Sequence, residues 1–226
     1  MNNIDYSKFS SSELLQLAKT VAKDIRGLLP KELYLGSFSL NSKLPFKATV
    51  LRELLLHRFS DYLDAAVELY ESNRIAPAYT ITRALVETTA LMYLFSVKTT
   101  EFVETKSVKL FDDFLMKGMF GSKDKKTPLE SFNVLTLIDH LDKMFSGMRE
   151  MYGGLCEFTH PNYSGLTGSY SSIDEVNHIA LLGKDNSELP IEYGLIPLIV
   201  CVDLFTDYYN SLAKKLEVIN DFFGKD

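Results

Sequence analysis

The sequence predicts an all-α fold: one helical bundle of about six to seven helices, with an irregular insert near residues 161–190 ahead of the last helix. Three observations lead there. Apolar residues recur at helical spacing through most of the 226 residues. Glycine, proline and Ser/Asn clusters fall between those segments. Strand-like runs are confined to residues 167–182, where two short stretches around Asp174-Glu175 could pair as a hairpin, or give way to a loop with one short helix.

Each element has its own signal. Ser10, Ser11, Ser12 and Glu13 read as an N-cap with an acidic first turn, and Leu14, Leu15, Leu17, Val21 and Ile25 continue a helix towards Pro30. Residues 31–43, with Gly36, three serines and Asn41, read as a loop. From Pro45, tolerated in a first turn, Leu51, Leu54, Leu55, Tyr62, Leu63, Ala66, Leu69 and Tyr70 mark a long second helix. Ser72-Asn73 and Pro77 set it off from a third, residues 76–95, and so short a link makes the two an antiparallel hairpin. A fourth helix is expected through Phe102, Val103, Val108, Leu110, Phe111, Phe114 and Leu115, ending before Gly118 and a polar stretch. A fifth at 129–145 and a sixth at 149–159 are divided by Gly147. The last, 191–223, places Leu195, Leu198, Ile199, Val202, Phe205 and Tyr209 on one face, with Pro197 near its start. No internal repeat or linker divides the chain, which reads as a single domain over 1–226.

Composition narrows the function classes. Hydrophobic residues make up 46% of the chain, enough for a sizeable core, and 24% are charged. A formal charge of −6 argues against broad electrostatic adhesion to nucleic acid or anionic membrane. Cys156 and Cys201 form no disulfide framework, which fits a reducing compartment. The opening residues have no apolar signal core, and the run 195–202 is too short to span a bilayer. The expectation is a cytoplasmic protein without a membrane role.

Two segments carry candidate chemistry. The third helix is apolar on nearly every face, yet holds Arg83 and Glu87 one turn apart; a charge buried there needs a partner, so the two should be buried together and paired. The pair is either a register-fixing ion pair or a polar site, with Arg83 holding an anion and Glu87 orienting it or acting as base. The second segment is Tyr152-Gly153-Gly154-Leu155, continuing to His160-Pro161-Asn162. A histidine at a helix end before proline is placed to face a cleft and to transfer protons, or simply to cap the helix. Tyr152 and Leu155 should pack inward, and the glycines should permit close helix approach.

Together, Arg83-Ala-Leu-Val-Glu87 and the later Tyr152-x-x-Leu155-x-x-x-x-His160-Pro161 resemble a family of largely uncharacterised bacterial proteins in the HEPN-like class of helical domains. The resemblance spans roughly residues 51–161. It implies a helical bundle, often dimeric, found near stress or phage-defence functions. Some HEPN domains are metal-independent ribonucleases, and others bind nucleotides or act as interaction modules. The nuclease branch carries an arginine and a histidine separated by four to six residues. Arg52 and His57 match those letters, but five residues advance about 500°, leaving the two side chains some 140° apart on a helix. His160, Arg83 and Glu87 are therefore the leading catalytic candidates, with Arg52, His57, Tyr152 and Asn162 secondary.

Glu-x-x-His occurs at Glu157/His160 and at Glu175/His178, but the second copy falls in the irregular insert, so no metal site is expected. No phosphate loop or nucleophile elbow is present, and no cofactor is expected. Lys123, Lys125 and Lys126 form a small basic tip without interleaved aromatics. The leading reading is a defence-associated HEPN-like protein, a metal-independent ribonuclease or an RNA or nucleotide binder. The alternative is a non-catalytic interaction module, antitoxin-like or a scaffold, with a structural Arg-Glu pair. A homodimer is expected from the resemblance and from Phe205, Tyr208, Tyr209, Phe222 and Phe223, too spread around the last helix for all to face inward.

Overall fold

The computed structural model describes residues 5–124, 127–183 and 189–224. Within them the protein is all-α, with one short hairpin before the last helix. The elements are α1 (Ser11–Leu28), α2 (Leu44–Glu71), α3 (Ile75–Thr105), α4 (Val108–Phe120), α5 (Val134–Met144), α6 (Met148–Thr159), α7 (Thr167–Tyr170), β1 (Ser171–Asp174), β2 (Ile179–Leu182) and α8 (Glu192–Phe222). A 3-10 turn at Leu35–Ser37 interrupts the first loop.

Local chemistry explains most boundaries. At the start of α1, Ser10 N–H donates to Glu13 Oε2 at 2.8 Å while Glu13 N–H reaches back to Ser10 Oγ at 3.4 Å, the reciprocal capping box. α2 ends where Asn73 turns left-handed (φ 53°) and Arg74 N–H bonds Leu69 O at 2.8 Å. The insert holds both forms expected as alternatives, the short helix α7 and then the β1–β2 hairpin.

Three boundaries differ from the expectation. Phe102 and Val103 belong to α3, which runs on to Thr105 and breaks at Lys106 in the left-handed region (φ 55°). With neither glycine nor proline there, periodicity alone ran the two helices together. α4 continues through Gly118 to Phe120, and the absent side chain there leaves room for Leu51, whose Cδ2 would lie 3.0 Å from an added Cβ. α5 begins at Val134 rather than 129: Ser122 pairs with Glu130 in a parallel bridge, and Asn133 Oδ1 caps the helix through Thr136 N–H at 3.2 Å.

The chain forms two compact units, with α1, α2, α3 and α8 contributing residues to each. The first draws on residues 1–26, 60–86 and 145–202. Leu14, Ala18, Leu63, Ala66, Tyr79, Leu85, Leu155, Leu195 and Leu198 are its buried centre. Gly194 lets α8 come close: a Cβ there would lie 2.0 Å from Tyr70 Oη and 2.5 Å from a Tyr79 ring carbon. α1 is tied down through Ser11 to Glu192, Lys19 to Glu71 at 2.5 Å and Arg26 to Asp64 at 2.8 Å.

The second unit, residues 27–59, 87–144 and 203–226, has an aromatic centre. Phe59 stacks on Phe205 at 4.0 Å, and Phe102 on Phe111 at 4.9 Å, with Phe95 and Phe114 alongside. The loop before α2 is anchored by Ser39, whose N–H donates to Asn220 Oδ1 at 2.9 Å in a buried contact. Of the five last-helix aromatics, some of which were expected to face outward, most are used here. Phe205 is buried, Tyr208 packs on Tyr93, Tyr209 on Phe205, and only Phe222 among the five is largely exposed, at 46%.

Candidate functional site

In the first unit, α3 and α6 run antiparallel, as the pairing of Arg83 with Tyr152 and of Tyr79 with Phe158 requires. Arg83 Nε donates to Tyr152 Oη at 3.2 Å, and the guanidinium carbon lies 5.4 Å from the centre of the Tyr152 ring. Tyr152 and Leu155 are buried, as their apolar spacing demanded. Arg83 and Glu87, one turn apart on α3, are both half-buried rather than enclosed. The buried polar groups of α3 are hydroxyls instead. Thr82 shares a hydrogen bond with Tyr70 at 2.9 Å, and Thr99 donates to Phe95 O at 2.8 Å. Apolar composition thus marked α3 as central, while serine and threonine hydroxyls supply its inner polarity, Thr99 bonding its own helix and Thr82 a tyrosine of α2.

His160 closes α6 as its C-cap, with its N–H on Cys156 O at 3.2 Å and its side chain exposed. The chain then folds tightly back. Asn162 N–H donates to His160 O at 2.8 Å, Asn162 Oδ1 accepts from Gly165 N–H at 2.9 Å, and Asn162 Nδ2 donates to Glu157 Oε2 at 2.8 Å. Asn162 and Glu157 therefore serve this turn. Gly165 packs against the turn's backbone, where a Cβ would sit 1.9 Å from His160 O.

Beside this turn lies a cleft of ≈ 460 Å³ lined by Leu69, Ala76, Pro77, Thr80, Ile81, Phe158, Thr159, His160, Pro161, Gly165, Leu166 and Tyr170. Its walls are mostly apolar, and among the described residues no arginine or lysine lines it. His160 sits eight residues beyond Tyr152 on α6, about 12 Å along the helix axis. Under the cleft, Phe158, Tyr79 and Tyr193 pack edge to face, and Tyr79 donates its hydroxyl to Pro190 O. Burial pushes the Tyr79 and Tyr70 hydroxyls well above the usual tyrosine range.

In the second unit, α2 carries Arg52 and His57, and each is engaged with its own partner. Arg52 Nη1 contacts Glu53 Oε1 at 2.6 Å, its Nε donates to Tyr209 O at 3.1 Å, and its guanidinium lies 3.6 Å over the Tyr209 ring. Tyr209 Oη donates to Glu53 Oε2 at 2.8 Å, closing the triad, and burial together with that carboxylate pushes the Tyr209 hydroxyl up to about 12. His57 Nε2 meets Pro30 O at 2.8 Å. Sequence reasoning missed Glu53 and Tyr209. It placed Leu54 on the inner stripe of α2, whereas Leu54 is exposed and Glu53 buried. A carboxylate beside an arginine on a mostly apolar helix was the available signal; nothing local pointed to Tyr209. Of the basic tip, Lys123 is exposed, and Lys125 and Lys126 lie outside the described residues.

No protein-family model, curated protein or solved structure matches this chain. α8 is long and apolar enough by length and composition to cross a membrane, although half of its most apolar window is buried within the protein.

Proposed function

We propose that this chain is a non-catalytic helical interaction module of the HEPN-like kind, acting in a bacterial stress- or phage-defence setting, and that the cleft beside His160 receives an apolar segment of a partner protein. The observation that carries this reading is the lining of the cleft. Metal-independent RNA cleavage needs a base for the 2′-hydroxyl, an acid for the leaving oxygen and a cation for the phosphate. Among the lining residues, His160 and Tyr170 carry the ionisable side chains and none is an arginine or lysine. Arg83 directs its Nε to Tyr152, two turns up α6, and Arg52 is held by Glu53 and Tyr209. In this reading the protein works in the cytoplasm, away from the membrane and without a cofactor.

A second reading keeps His160, with Arg83 and Glu87, as the site of a metal-independent endoribonuclease or an RNA or nucleotide binder. The exposure of the His160 side chain at the cleft favours it, since a ligand reaches the imidazole without opening the fold. Incubation of the purified protein with single-stranded RNA in chelator separates the two. The module leaves the RNA intact, and His160→Ala changes neither that result nor the growth of expressing cells. Cleavage that disappears in His160→Ala while the helical spectrum is retained makes the protein a nuclease and ends the module reading.

A further inference from the structure

We infer that the segment received by the His160 cleft is the carboxyl-terminal end of a partner protein, with its terminal carboxylate held by Arg74. This rests on the reading of the cleft as a docking site for an apolar partner segment. The cleft follows the opening turns of α3, where Ala76, Pro77, Thr80 and Ile81 form one wall. A second cavity, of ≈ 150 Å³, adjoins it, and Ala76, Pro77 and Tyr170 line both. Arg74 lines this second cavity. The two together make one groove, apolar along most of its length and cationic at one end.

Arg74 is available to a ligand. It is exposed, and among the described residues its guanidinium has no carboxylate partner. The nearest acid before it in the chain, Glu71, is taken by Lys19 at 2.5 Å. Among the described residues, no aspartate or glutamate lines either cavity. A guanidinium meets a carboxylate through two parallel hydrogen bonds, the strongest pairing open to an exposed cation. The helix behind it adds to the attraction. α3 is 31 residues long and opens at Ile75, so the first N–H groups, at Ile75 and Ala76, have no acceptor within the helix, and its dipole favours an anion at this end.

Charge and size together select the occupant. From Ile81 back to Arg74 is about 10 Å along the helix, the span of roughly three residues of extended chain. Apolar side chains on those residues match the walls of the cleft, and a negative group beyond them reaches Arg74. The cavity at the Arg74 end is the smaller, ≈ 150 against ≈ 460 Å³, which suits a chain terminus better than a chain that runs on. Capture of a terminal carboxylate beside free backbone N–H groups is a recurring mode of peptide recognition.

Fluorescence polarisation tests it with a labelled pool of hexapeptides whose last three positions are drawn from Leu, Ile, Val and Phe. The pool is made twice, once with free carboxyl ends and once amidated. The free-acid pool should bind the full chain at least ~10-fold more tightly than the amide, the worth of one charge-assisted pairing. Arg74→Gln should lower the free-acid affinity to that of the amide and leave amide binding unchanged. Leu166→Glu, which puts a charge into the apolar part of the cleft, should abolish binding of both pools. Equal binding of the two pools, lost in Leu166→Glu, keeps the cleft reading and overturns the carboxylate inference. A free-acid preference that survives Arg74→Gln overturns it as well. Binding of neither pool ends the cleft reading and this inference together. Dodecanoate that displaces the free-acid pool at ~10-fold lower concentration than unlabelled peptide makes the occupant a lipid acid and overturns the partner-protein assignment.

Discussion

Arg52 and Arg83 show how differently two arginines on apolar helices can be placed. The Arg52 and Glu53 side chains retain only 14% and 9% of their exposure, and Tyr209 bonds the same carboxylate. Removing Arg52 leaves a buried charge with half its partners. Arg83 is half-buried against a tyrosine hydroxyl, where water replaces lost contacts. Arg52→Ala is therefore expected to cost about 3–5 kcal/mol, and Arg83→Ala about 1–2 kcal/mol. Urea unfolding of both variants checks the order; equal losses would contradict it. The sequence singled out Arg83 because its neighbours are apolar. It passed over Glu53 because burial of a single residue depends on which side of a long helix faces the core, and the partner that settles it, Tyr209, lies 156 positions away.

Helix identity was legible wherever apolar spacing and end chemistry agreed. α1, α2, α6 and α8 follow their caps and periods closely. The misplaced boundaries have local causes: a left-handed lysine at 106, a glycine spanned at 118 and a bridge at Ser122 that displaces the start of α5. The close approach expected at the Gly153-Gly154 pair belongs to Gly154 alone. A Cβ at Gly154 would meet Tyr193 Oη at 1.7 Å, whereas nothing lies within 4 Å of one at Gly153. Substitutions to alanine should follow that geometry. Gly153→Ala should stabilise by about 0.5–1 kcal/mol through lower chain entropy and better helix propensity. Gly154→Ala should cost under ~1 kcal/mol, since the half-exposed Tyr193 can swing aside, and Gly194→Ala should cost about 2–3 kcal/mol against the buried Tyr70 and Tyr79 rings. Thermal midpoints in any other order would show that these helices relax more freely than the packing implies.

At the scale of the molecule, buried phenols set an alkaline limit. Burial raises the hydroxyls of Tyr70 and Tyr79 above the ordinary range, and those of Tyr208 and Tyr209 reach about 12. A phenol in the unfolded chain loses its proton near pH ~10. The folded protein thus holds more protons than the unfolded chain above that pH, so stability falls as pH rises. The contribution is complete below pH ~10 and is lost as pH climbs through about 12 for Tyr208 and Tyr209. The urea midpoint should decline over this window, and Tyr209→Phe should make the decline shallower. A midpoint independent of pH there would mean that the phenols are open to water. None of this was readable from composition, because tyrosine count says nothing of which rings the helices enclose.

The turn after α6 gives the cleft an inheritance of its own. At this end of the cleft the turn closes on main chain, with Gly165 seated against the His160 carbonyl. A single methyl group at 165 would have to push that carbonyl away. The shape of this end of the cleft therefore depends on a residue that has no side chain to offer a ligand.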